Sequence, residues 1–126
     1  MAGEAPRVYE AMRSVEFNVV VDLFMTPTAV ACADIVLPCA ITLGRDSQRV
    51  WWTPLRTMVK VIDEYEECKT DEQILIDLGK RLKPEKFPFS NNIEWVDYIF
   101  KHHTNEEFNY TFEEMKQKIW CYPKFE

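Results

Sequence analysis

Few side chains in this sequence could do chemistry, and they are scattered. Asp22 is the most suggestive, because it ends the run Phe17-Asn-Val-Val-Val-Asp22. A carboxylate at the carboxyl end of a buried-type strand lies where open α/β sheets bind ligands, and it can accept two hydrogen bonds from a base or a ribose. The same carboxylate could instead cap the turn into Thr26-Pro27-Thr28, and periodicity leaves both readings open. His102-His103 is the only histidine pair. Neighbouring residues on a helix point about 100° apart, which is poor metal-binding geometry, and a helix C-terminus favours cationic side chains anyway. Cys32, Cys39, Cys68 and Cys121 make no C-x-x-C pair, so neither a zinc nor an iron–sulfur site is indicated. Cys32 and Cys39 lie in apolar sequence and read as small core residues, with no structural disulfide expected. The acidic run 63–67 reads as a solvated face. No nucleophile elbow, P-loop, H-E-x-x-H or G-x-G-x-x-G occurs.

The elements that must position these groups come from a chain of 126 residues, one domain by length. Apolar residues make up 47% and charged residues 29%, which excludes a disordered, collagen-like or coiled-coil polypeptide. A net charge of -6 argues against nucleic acid as a partner, since phosphate contacts need Lys and Arg clusters. No apolar stretch approaches the roughly 20 residues of a membrane span. The first nine residues lack the features of a secretory signal, which makes a cytoplasmic address the default for this chain and leaves export of a longer parent open.

Val8, Met12 and Val15 space a short helix over 9–15. The continuous run 17–22 suggests a strand covered on both faces. Thr26 is placed to cap a helix over 27–33 with Pro27 at its first position. A second strand follows at 35–38, which completes a βαβ-like unit. Residues 42–49 read as a loop, and 50–62 as an extended segment broken at Pro54. Three capping boxes follow: Thr70-x-x-Gln73, Asn91-x-x-Glu94 and Thr111-x-x-Glu114. The first opens a helix with Ile74, Leu75, Leu78 and Leu82 on one face, ended by Pro84. The second carries Ile93, Val96 and Phe100 on one stripe, with Trp95 and Ile99 beside it. The third spaces Met115 and Ile119 by one turn. Segment 104–109 reads as a loop, and the aromatic end 120–126 as that of a truncated chain, the alternative being a native aromatic C-terminus that packs on the surface. The predicted class is α/β: a partial doubly wound, Rossmann-like parallel sheet followed by a helical, aromatic-rich segment.

The stretch Val19-Val-Val-Asp-Leu-Phe-Met-Thr-Pro-Thr-Ala-Val-Ala-Cys-Ala-Asp-Ile-Val-Leu-Pro38 resembles the signature of the molybdopterin oxidoreductases of the dimethyl-sulfoxide-reductase type. Gly44-Arg45-Asp46 is similar to the acid-base-acid turn that follows in that family, with Gly44 where the family usually has Glu. Glu67-Cys-Lys-Thr-Asp71, with Ile74-Leu75, Leu78 and Arg81-Leu82, resembles the helix after that turn. The resemblance is dense over 8–46 and looser over 63–82. The aromatic helical part after residue 84 resembles the branch that includes hydratases, transhydroxylases and dehydroxylases.

This resemblance implies a parent several times longer, holding a molybdenum or tungsten ion on two molybdopterin guanine dinucleotides (bis-MGD). It implies that residues 1–84 are an α/β portion of the cofactor-binding domain, and that 85–126 are a helical extension leading to a missing C-terminal domain. It places the dinucleotide contacts of the strand end on Val21 and Asp22. Arg45 becomes a phosphate or pterin contact, and Asp71 the acid that opens the next helix. Asp22 and Asp71 are expected to face one guanine-dinucleotide arm, with Arg45 offsetting phosphate charge. The implied partners are the remaining domains of the parent and an iron–sulfur electron-transfer subunit. No cofactor, metal or catalytic activity is expected of the isolated chain. The competing reading is a stand-alone α/β accessory or interaction domain without a cofactor.

Overall fold

The valine run and its terminal carboxylate form β1, Val19–Asp22, in a computed structural model that describes residues 4–50, 55–103 and 110–118. The chain divides into two compact units, Met1–Cys39 and Ala40–Glu126.

In the first unit, β1 pairs in parallel with β2, Ile35–Pro38, in the register Val19 to Ile35 through Asp22 to Pro38. The helix α2, Pro27–Cys32, makes the crossover. Its start is fixed by Thr26, whose Oγ1 accepts the Ala29 N–H at 3.3 Å, and by Pro27, which needs no N–H at the first helical position. The connection is near the roughly dozen residues that a parallel pair requires. The preceding helix α1, Ala5–Arg13, starts and ends earlier than the apolar spacing predicts. Its Tyr9 hydroxyl lies 3.1 Å from Thr28 Oγ1, and Arg13 Nε donates to the Ala31 carbonyl at 3.1 Å. Asn18 fixes the entry to β1: its N–H donates to Asp34 Oδ2 and its side-chain amide to the Met12 carbonyl. The expectation of two covered faces is corrected here. Val19 and Val21 are 47% and 38% exposed, while Val20 and Asp22 are half-buried. Successive strand residues point to opposite faces, and only one face of β1 is covered.

In the second unit, a 3₁₀ turn, Thr42–Gly44, leads to an antiparallel pair, β3 (Ser47–Val50) and β4 (Leu55–Met58). The predicted loop over 42–49 therefore contains a strand. Nothing local marks Ser47-Gln48-Arg49 as extended; its ladder comes from pairing with β4. The expected break at Pro54 falls outside the described residues.

Helix α3 spans Asp71–Leu82 and stops before Pro84, which opens a 3₁₀ turn, Pro84–Lys86. Thr70 Oγ1 accepts the Gln73 N–H at 3.0 Å, but the Gln73 side chain turns to Asp77 at 2.7 Å, so only half of the box closes. Leu75, Leu78 and Leu82 do share a face, yet they are 61%, 51% and 71% exposed. The buried positions are Ile76 and Gly79.

Helix α4, Asn92–His103, is capped by Asn91 Oδ1, which accepts the Glu94 N–H at 3.0 Å. The short α5, Phe112–Lys116, has the full capping box of Thr111 and Glu114. Val96 and Phe100 of α4 meet Tyr110, Phe112 and Met115 in a buried cluster, with Ile93 packed against it. Asp97 Oδ1 accepts the Phe112 N–H at 2.7 Å, so α4 also holds the first turn of α5. Ile119, segment 104–109 and the aromatic end 120–126 lie outside the described residues. Among the described residues no helix is long and apolar enough to cross a membrane.

Candidate functional site

Asp22 ends β1, where the backbone leaves the sheet for the capped start of α2. Its Oδ1 accepts the Leu23 N–H at 2.7 Å, and its Oδ2 accepts the Thr26 hydroxyl at 3.1 Å. Thr26 in turn caps α2, so one side chain links the strand end to the crossover helix. Each oxygen keeps a further lone pair, since an ionised carboxylate has about four acceptor positions. Val21 stands on the opposite, exposed face, in register with Leu37.

Arg45 and Asp71 belong to the second unit and meet there. Arg45 Nη1 donates to Asp71 Oδ2 at 2.6 Å, with the two side chains 23% and 50% exposed. Asp71 is the first residue of α3, where a carboxylate faces the positive end of the helix dipole. The Arg45 Nε is buried without a hydrogen-bond partner. Asp22 is described within its own unit and the Arg45–Asp71 pair within the other. Gly44 is buried, and a methyl group built on it would find its nearest neighbours at 3.9–4.0 Å, so the backbone does not demand glycine there.

The acidic run is exposed, as its composition predicts. Lys60 Nζ bridges Glu64 at 2.5 Å and Asp63 at 3.3 Å. The Lys60 hydrogen bond holds the Glu64 carboxyl below its usual range, and that with Glu64 raises Lys60. Asp77 is likewise held low, first by the hydrogen bond from Lys69 at 2.7 Å. A carboxyl depressed in the folded state binds fewer protons than in the unfolded chain. Its stabilisation is therefore complete above the ordinary carboxylate range and is lost as the pH falls through the folded value. For so exposed a pair the effect is at most about 1 kcal/mol. The unfolding free energies of the parent sequence and of Asp77→Asn should therefore converge below about pH 4. A gap that persists there in acid-titrated urea melts would contradict this.

Sequence reasoning missed an aromatic ladder. Phe89 meets Trp95 and Tyr98 edge-on at 5.0 and 5.1 Å, Trp95 and Tyr98 stack at 6.1 Å, and Tyr98 meets His102 at 4.5 Å. The spacing of Trp95, Tyr98 and His102 by three and four residues was the available signal. Among the described residues no three His, Cys, Asp or Glu side chains are placed to hold a metal. Cys32, Cys39 and Cys68 form no disulfide among the described residues, and Cys121 lies outside them.

No family model and no curated protein matches this sequence. Among solved structures, the chain is similar to acetylene hydratase from Pelobacter acetylenicus, with a TM-score of 0.75 and 24% identity. The match covers 98% of this chain and 18% of that one. The likeness is one of fold.

Proposed function

We propose that this chain is an α/β portion of a molybdenum- or tungsten-dependent bis-molybdopterin oxidoreductase, with Val21, Asp22, Arg45 and Asp71 contributing to a pterin guanine dinucleotide site. One observation carries the reading. The stretch 19–38, which resembles the family signature, is the stretch that folds as β1–α2–β2 with Asp22 at a carboxyl strand end. The fold likeness to a hydratase agrees with the branch that the aromatic part after residue 84 resembles. Residues 1–84 would then be part of the cofactor-binding domain and 85–126 an extension towards a further domain. The remaining domains of the parent and an iron–sulfur subunit would be the partners.

The residues suit such a group by their chemistry. Asp22 and Asp71 are carboxylates that keep acceptor capacity beside their present bonds, which matches the N–H donors of a guanine edge. Arg45 has a buried Nε without a partner, a donor suited to a phosphate or pterin oxygen. When bound, the cofactor supplies the metal-centred chemistry. The chain's own residues bind and orient its guanine and phosphate ends, and Thr26 and the α3 dipole hold the two carboxylates in place.

The test is cofactor retention in the full-length parent. A charge-assisted hydrogen bond contributes about 1.5–3 kcal/mol, so Asp22→Asn and Asp71→Asn should each lower cofactor affinity by about 10- to 150-fold. Metal and pterin content per polypeptide should fall, while Tm shifts by only a few degrees. Full cofactor content in both variants would overturn the roles given to the two carboxylates, and a full-length parent that holds neither metal nor pterin would overturn the reading in favour of an accessory domain.

A further inference from the structure

Two parallel strands alone are a marginal sheet, since parallel sheets occur as larger sheets with both faces covered. The side of β1 away from β2 is open. The Ile35 and Cys39 N–H groups donate to the Asn18 and Asp22 carbonyls at 3.2 Å each, which turns the backbone groups of residues 18, 20 and 22 towards β2. Backbone groups alternate along a strand, so those of Val19 and Val21 point the other way, where β1 meets no strand among the described residues. The residues ahead of β1 have the form of a crossover. Residues 5–18 carry α1 and a short connection into β1, and they are long enough to join two parallel strands. α1 lies in the layer of α2. Tyr9 reaches Thr28 and Arg13 reaches the Ala31 carbonyl, while the exposed Val19 and Val21 side chains show that neither helix covers the other face.

We infer that the open edge of β1 pairs in parallel with an extended segment of the parent polypeptide, the one that leads directly into α1. Crossovers between parallel strands are right-handed in nearly all sheets. Two successive crossovers of one hand, with their helices in one layer, carry the chain in one direction across a sheet. α2 carries it from β1 to β2, so α1 brings it to β1 from the opposite edge. The layer of α1 thus selects the occupant, and a second copy of the chain has no such connection to it. Val19 and Val21 offer two N–H donors and two carbonyl acceptors on that edge, which a parallel partner takes up in evenly spaced, slanted bonds. The fold match covers only 18% of its solved neighbour, which leaves ample polypeptide to supply a strand. The inference rests on the reading of this chain as a portion of a longer parent, and on no contact with the cofactor.

Amide hydrogen exchange read at single residues tests it, on the 126-residue chain and on the full-length parent. In the chain alone, Val19 and Val21 should exchange near the unpaired rate, and Val20 and Asp22 more slowly. In the parent, Val19 and Val21 should slow by about 100-fold or more. Val19→Pro removes a donor that only the added strand uses. It should leave the Val21 rate unchanged in the chain and raise it by about tenfold in the parent. Extending the chain by only the parent residues ahead of α1, about 15 of them, should reproduce the parent's protection. Equal exchange at Val19 and Val21 in chain and parent would overturn the inference. So would protection that a separate polypeptide supplies, or that the residues ahead of α1 do not. A parent with this edge protected but without metal or pterin would overturn the cofactor reading alone, and a loaded parent with the edge unprotected would overturn this inference alone.

Discussion

Replacing Phe112 by alanine should lower the unfolding free energy by about 3–5 kcal/mol. The ring is fully buried among Val96, Phe100, Tyr110 and Met115, so its loss removes both transfer energy and the contacts that would line the void. The same residue opens a helix of only five residues. So short a helix has no stability apart from its packing. Against a typical total of about 5–15 kcal/mol, the change takes about a fifth or more. The expected signature is a lower urea midpoint with little change in slope. A loss below about 1 kcal/mol would mean that the cluster around α4 and α5 closes over the gap and does not depend on this ring.

Gly79→Ala should also destabilise, against its helix propensity. Alanine in a helix interior is favoured over glycine by about 1 kcal/mol. Here, however, a Cβ at residue 79 would lie 2.4 Å from the Phe87 ring. Ring carbons cannot yield like the end of a flexible chain, so Phe87 or α3 must move. Overpacking of this kind costs about 1–3 kcal/mol or more, and we expect a net loss of about 2 kcal/mol after the propensity gain. Phe87→Ala made in the Gly79→Ala background should cost far less than in the parent sequence, a coupling that a double-mutant cycle reads directly. Additive effects would show that the two residues do not share this space.

The close approach of Gly79 and Phe87 also explains where the sequence was misleading. Apolar spacing put Leu75, Leu78 and Leu82 on one face correctly, but it cannot say which face a neighbour covers. The glycine lets a ring in beside Ile76, and the leucines stay outside. The three capping boxes make the same point locally. Each motif starts a helix where expected, yet only Thr111 and Glu114 close both bonds, because Gln73 prefers Asp77 and Glu94 accepts the Ser90 N–H instead. The β1–α2–β2 unit was legible because its signals are contiguous: a β-branched run, a threonine cap, a proline. The strand at Ser47 was not, since its partner is what makes it a strand.

The site divides along the same line. Asp22 was visible by its place after the valines, and its bonds to Leu23 and Thr26 realise the turn-capping alternative without using all its acceptor capacity. The Arg45–Asp71 pair joins residues far apart in sequence. No periodicity brings them together; only the family resemblance placed them near one site.

The bare face of β1 carries a consequence for how this polypeptide behaves in concentrated solution. Residues 17–24 hold six large apolar side chains and a single charge, Asp22. Among the described residues, β1 and β2 form a two-stranded sheet, so each has a side on which another extended chain could add. Short β-prone windows with little charge are the seeds of cross-β stacking. Copies stacked in register would bring their Asp22 carboxylates to about 4.8 Å spacing, where like charges repel. The carboxylate that ends the strand thus also acts as the brake on its self-association, and an amide at position 22 should shorten the lag before fibrils form.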